Sequence, residues 1–184
     1  MTETKNPSAI YSQTQIQKAL LRLMKKNRYE DLTVKEILYE AKIARKTFYR
    51  NFTSKADVMD SLVRKTLAQY TQKLLQLENE NLDLFFDSVF EVVKSNRSFF
   101  KLLSKNNLLH MISEELNTYI PVIHDMYCSD CSFFKTLSKQ QITFVIAFNI
   151  GAIWNVISRW IQEDMKTPEE EIKAGLVKYL STLN

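Results

Sequence analysis

At 184 residues the chain is long enough for one large or two modest domains with a real core. It holds only two Gly, both inside helical patterns, and three Pro; sheets and long irregular loops need more punctuation, so the composition excludes a β-rich fold and predicts an all-α one. Fourteen Lys/Arg against seven Asp/Glu give residues 1–65 a balance of +7, which leaves −3 for residues 66–184 of a chain that is +4 overall, and predicts that one end meets a polyanion.

Residues 1–10 are polar with no apolar core, which predicts a disordered tail and no signal peptide. A first helix then follows the stripe Ile16, Ala19, Leu20, Leu23 and Met24. Asn27 to Leu32 reads as a connection. Thr33 with Glu36 forms a capping box for a second helix, whose apolar face is Ile37, Leu38 and Ala41, with Ile43 continuing it across a tight turn. The third helix carries Phe48 and Phe52 four apart, so they share one face and bury together. Its remaining side chains point outward and are of the types that contact DNA. Arg45 and Lys46 suit base edges, with Thr47 and Tyr49 nearby, because Arg offers guanine a bidentate fork. Thr33, Lys35, Arg50 and Lys55 suit phosphates. Together these form a helix-turn-helix with a reading face.

Ser54 caps a long fourth helix running to about Leu77, able to tie this module to the body. Further helices are expected near 82–95, 97–104 and 107–127, the last kinked or interrupted at Pro121. Ser138 with Gln141 boxes the start of a helix over 139–163. Thr167, Pro168 and Glu170 read as cap, first position and box partner of a final helix striped by Ile172, Leu176, Tyr179, Leu180 and Leu183. The count is about nine helices. The domains expected are a disordered tail at 1–10, a three-helix DNA-binding domain at 11–56 and a C-terminal domain at 57–184.

The 139–163 helix is apolar on nearly every side. Its run Ile142 to Ile161 has the length of a membrane span, but Asn149, Asn155, Ser158 and Arg159 interrupt it, so a buried helix of a cytoplasmic protein and no membrane partner is expected. Ala147, Gly151 and Asn155 fall at i, i+4, i+8, a narrow strip that lets another backbone approach. The neighbour is either a helix of the same chain or the same helix of a second copy, with Ile172, Leu176 and Leu180 completing a symmetric interface. A palindromic site on double-stranded DNA requires two-fold symmetry in any case, so a homodimer is expected.

Nine of the eleven Phe lie beyond residue 80. Phe86, Phe90, Phe100, Phe144 and Phe148, with Tyr119, read either as plain core or as the lining of an effector cavity. Both His and both Cys fall between 110 and 131. His110, His124, Cys128 and Cys131 read either as an inducer zinc site, since Cys128-x-x-Cys131 has ligand spacing, or as unrelated thiols and imidazoles. No Gly-rich phosphate loop and no nucleophile-base arrangement is present, so neither an enzyme nor a cofactor is expected.

The string Thr33-x-x-x-Ile37, then Thr47-Phe-Tyr-x-x-Phe52-x-x-Lys55, resembles the DNA-binding signature of the TetR/AcrR transcriptional regulators. The resemblance covers roughly residues 10–65 by motif. Two departures are plain: the family's turn usually holds Gly where this chain has Lys42, and its recognition helix often opens with Ser or Thr where this chain has Ala44. The resemblance implies a homodimer whose C-terminal domain binds a small-molecule effector of unknown identity, and a repressor released from a palindromic operator when that effector binds.

Overall fold

The computed structural model describes residues 7–74, 82–127 and 134–182. Among the described residues the fold is all-helical, with nine α-helices, one 3₁₀ turn and no strand. They divide into two compact units, Met1–Lys65 and Thr66–Asn184.

In the N-terminal unit α1 (Pro7–Met24) packs against α2 (Val34–Ala41) and α3 (Arg45–Asn51), and α4 (Lys55–Leu74) begins there. Residues 7–10 are therefore helical rather than tail. Pro7 lacks the N–H that a first-turn residue would leave unpaired, and its fixed φ suits that position. The core is Ile16, Leu20, Met24, Ile37, Phe48, Val58, Met59 and Val63, each with essentially no exposure. Phe48 and Phe52 lie with ring centroids 6.1 Å apart, on the buried face their spacing predicts. The division expected at 56/57 falls in the first turn of α4, and Val58, Met59 and Val63 belong to this core. The unit ends instead at Lys65, within a continuous α4.

The C-terminal unit holds α5 (Leu82–Ser95), α6 (Arg97–Lys105), α7 (His110–Tyr127), the 3₁₀ turn Phe134–Thr136, α8 (Lys139–Gln162) and α9 (Glu169–Leu180). The α7 helix runs through Pro121 without a break in its assignment. Ser138 and Gln141 cap α8 reciprocally, as the pattern predicts. The expected cap of α9 does not form. Pro168 occupies the N-cap, no side chain bonds there, and Trp160 Nε1 donates to the Thr167 carbonyl at 2.8 Å, so this segment anchors the core indole instead. Glu169, Glu170 and Glu171 in the first turn complement the helix dipole without a cap. The core gathers Phe86, Phe90, Val93, Phe100, Leu103, Ile112, Ile157, Trp160 and Ile161. Phe90 and Trp160 meet edge to face at 5.1 Å.

By length and composition α8 is apolar enough to cross a membrane. It carries Asn149, Asn155, Ser158 and Arg159, and it lays Ile146, Ile150, Ile157, Trp160 and Ile161 into the unit's core.

Candidate nucleic-acid interface

The second and third helices are joined by the tight turn that the sequence strains. Lys42 closes α2 in the left-handed conformation, φ 55°, where its N–H reaches the carbonyls of Leu38 and Tyr39. A residue with a Cβ held there costs on the order of 1 kcal/mol relative to Gly. Ala44 stands at the N-cap of α3 with no side-chain bond, so the orphan amides of that helix stay open. Upstream, the capping box is complete. The Thr33 amide and hydroxyl donate to Glu36 Oε2 at 2.8 and 2.7 Å, and the Glu36 amide donates back to Thr33 Oγ1 at 3.3 Å. The Thr33 hydroxyl proton, expected to hold a phosphate, is spent inside this cap.

Around Phe48 the outer face of α3 is exposed and basic. Arg45, Lys46 and Arg50 have no carboxylate partner among the described residues. Arg45 instead lies over the Tyr49 ring at 5.6 Å, one helical turn on, which holds the guanidinium along the outer face of α3. Thr47 is half-buried, and its carbonyl accepts from Asn51 Nδ2 at 2.7 Å. Lys35 projects from the first turn of α2, also unpaired. The acids of the segment are occupied: Glu36 is held by Thr33, and Glu40 by Arg22 at 2.6 Å. The surface is thus cationic because Glu40 is paired with Arg22, while Arg45, Lys46 and Arg50 have no carboxylate partner among the described residues and outnumber the still anionic Glu36.

Lys55 does not belong to it. Its ammonium donates to the carbonyls of Tyr29, Glu30 and Leu32 at 2.8, 2.7 and 2.7 Å and sits 4.8 Å from the Tyr29 ring centroid. An ammonium has three protons, and here all three are used on the α1–α2 connection. The phosphate role expected for Lys55 is therefore replaced by a clamp that sets where α2 begins.

The other expected sites separate cleanly. Phe86, Phe90 and Phe100 are packed core. Phe144 and Phe148, also expected in the pocket, are 68% and 74% exposed, and Tyr119 lies at the surface. On α8 the buried residues occupy one side, and Phe144, Phe148, Gly151 and Asn155 lie opposite, at i, i+4, i+7 and i+11. Ala147 borders the same face. A Cβ on Gly151 meets nothing within 4 Å, so among the described residues no helix of its own chain crosses there. On α9, Ile172, Leu176 and Leu180 are half-buried.

His110 starts α7, exposed, with Nδ1 3.1 Å from the Asn107 carbonyl. His124 lies fourteen residues further along the same helix, a rise of about 21 Å. The two cannot share one ion, so the four-residue zinc set is overturned. Cys128 and Cys131 lie outside the described residues, and among the described residues no three His, Cys, Asp or Glu gather as metal ligands.

The model of bacterial regulatory proteins of the tetR family matches residues 16–62, the helix-turn-helix and its flanks, and the model of a transcriptional regulator C-terminal region of that family matches residues 80–182. The chain belongs to the TetR family of transcriptional regulators. It is 29% identical over 114 residues to the HTH-type dhaKLM operon transcriptional activator DhaS of Lactococcus lactis subsp. lactis (strain IL1403), a match over 55% of this chain and 60% of that protein. Its fold resembles Lin0861 from Listeria innocua, with TM-score 0.76 at 14% identity over 100% of this chain and 97% of that one. It also resembles the fatty acid degradation regulator FadR from Bacillus halodurans, with TM-score 0.65 at 18% identity, covering 97% and 96% of the two chains.

In this TetR-family regulator the cap at the start of α2 is also a titrating element. Hydrogen bonds from the Thr33 side chain and then its backbone, with Lys55 as a smaller contribution, hold the Glu36 carboxyl below the ordinary glutamate range. A carboxyl lowered on folding stabilises the folded state above its unfolded value, and that contribution fades as pH falls through the lowered one. Acidification through and below the ordinary carboxylate range is therefore expected to fray the start of α2. The Thr33 amide resonance should titrate with a midpoint under the usual glutamate value, and Glu36→Gln should abolish that titration. A midpoint at the usual value would refute the reciprocal cap.

Proposed function

We propose that this DNA-binding regulator occupies a palindromic operator as a cytoplasmic homodimer, represses transcription there, and is released by a small molecule bound in its C-terminal unit. The observation that carries the reading is the outer face of α3, where Arg45, Lys46 and Arg50 stand exposed with no carboxylate partner among the described residues. Such a face suits a polyanion with readable edges: Arg45 and Lys46 for bases, Lys35 and Arg50 for phosphates. Two-fold symmetry enters through the open face of α8, for which Ala147, Gly151 and Asn155 supply close approach and Ile172, Leu176 and Leu180 of α9 the flank.

Selection of bound duplexes from a random pool tests this directly, and a two-fold site of restricted sequence is the expected result. Recovery of unrelated sequences would make the protein a general DNA coat. Arg45→Ala is expected to cost roughly 1–3 kcal/mol on the selected operator and to relax base preference at one position per half-site. Equal losses on operator and random DNA would remove the base contact.

A second reading, activation, is favoured by the relative from Lactococcus lactis, which is an operon activator. Both readings use the same DNA face and the same dimer. In vitro transcription from a promoter carrying the selected operator, with and without regulator, separates them by the sign of the change.

A further inference from the structure

The crest of α2 is a surface that the recognition helix leaves unexplained. Tyr39 is 87% exposed, the most open of the large hydrophobic side chains, and its hydroxyl has no partner among the described residues. Lys35, Tyr39 and Lys42 fall at i, i+4 and i+7, so they share one line along α2, opposite the buried Ile37 and Ala41. Lys42, held at φ 55° by the turn, is exposed and has no carboxylate partner among the described residues. Beside this line Leu38, Ile43 and Arg22 form the walls of an open cleft against which the Tyr39 ring stands.

From this register we infer that Tyr39 and Lys42 make a second strip of contacts to the DNA backbone, beyond the phosphates assigned to Lys35 and Arg50. The inference rests on the DNA-binding reading above. Charge selects the occupant. Of the two acids near the crest, Glu40 is paired with Arg22, whose Nε is 2.6 Å from the carboxylate, and Glu36, still anionic, lies about 100° round the helix from Lys35 and accepts from the Thr33 cap. A second copy of the same surface would bring lysine against lysine, whereas a phosphate chain meets a cation, a hydroxyl donor and a cation in sequence. Tyr hydroxyls and Lys ammonium groups both serve phosphate oxygens, and neither contact carries base information. The strip therefore adds affinity and register without adding sequence preference.

Binding of the full-length protein to the selected operator and to a random duplex, each measured across a salt series, tests the strip. Tyr39→Phe, which removes only the hydroxyl, is expected to weaken both duplexes equally, by about five- to tenfold. Lys42→Ala is expected to flatten the slope of log affinity against log salt by about one unit. Both residues lie on the surface, and circular dichroism should read native helix content for both variants. Arg45→Ala serves as the control for the reading beneath. If Tyr39→Phe and Lys42→Ala bind as wild type while Arg45→Ala loses operator preference, the strip is refuted and the recognition face stands. Loss confined to the operator with Tyr39→Phe would make Tyr39 a base reader and overturn the backbone assignment. A wild-type protein with no operator preference, unchanged by Arg45→Ala, would remove the DNA reading itself and the strip with it.

Discussion

Lys55→Ala is expected to destabilise the N-terminal unit by about 2–4 kcal/mol and to weaken DNA binding without changing its salt dependence. The clamp is a single ammonium bonded to three carbonyls at 2.7–2.8 Å, those of Tyr29, Glu30 and Leu32. A hydrogen bond to a charged group contributes ~1.5–3 kcal/mol net. The three share one charge and Lys55 is half-buried, so solvent screening holds the total well below three times that figure. Removing the side chain also uncovers one face of Tyr29, whose hydroxyl burial and Asp60 together push above its usual range. The connection it holds ends at Leu32, which is 3% exposed, and the next residue is the Thr33 cap. Loosening it should let the start of α2 drift and displace Lys35, which the proposed function gives to a phosphate. Thermal melts should therefore show the loss of stability, and binding should weaken alike on operator and random duplexes with the salt slope intact. A slope flattened by about one unit at unchanged stability would return Lys55 to the phosphate ligands and dissolve the clamp.

The features legible in the sequence are those set by near neighbours along the chain. The Thr33–Glu36 and Ser138–Gln141 boxes are three-residue arrangements, and both form as their spacing predicts. Phe48 and Phe52 depend only on the helical repeat, and they bury together. Strain at Lys42 and the bare start at Ala44 follow from single residues where the resembling family prefers others. The family itself was readable on the same grounds, since its signature lies within one helix-turn-helix.

What the sequence hides are partners distant in the chain. Nothing in the spacing of Lys55 says that carbonyls 23 to 26 residues earlier will take its protons. Thr167 looks like a cap, but Pro168 holds the N-cap position and the Thr167 carbonyl accepts from Trp160. The aromatics of the C-terminal unit show the same limit more sharply. An α8 apolar on nearly all sides does not reveal which side its own chain covers. Ile146, Ile150 and Ile157 face inward, and Phe144 and Phe148, equally apolar, are left outside.

The open face of α8 gives the largest expected effect: Phe148→Glu should leave a folded monomer. Phe144 and Phe148 are two-thirds to three-quarters exposed in the single chain, and a Cβ on Gly151, one turn beyond Phe148, would meet no other element within 4 Å among the described residues. Full burial of an aromatic of this size is worth about 1.5–3 kcal/mol, and a two-fold interface counts each residue twice. Phe148→Glu forfeits that term on both subunits and places two carboxylates in a closing apolar seam, where each costs several kcal/mol unless paired. A loss of ~4 kcal/mol already raises a dissociation constant about a thousandfold. Sedimentation at micromolar protein should show monomers, and circular dichroism should show native helix content, because Phe148 touches too little of its own chain to hold it together. Gly151→Leu should act the same way, overpacking the crossing between subunits while meeting open space within one. On DNA both variants should retain the weak, salt-sensitive affinity of a single half-site and lose the gain of binding two half-sites spaced about 34–36 Å, one DNA turn, apart. A Phe148→Glu protein that stays dimeric would move the interface off α8, and one that unfolds would place Phe148 in a core that the structure does not give it.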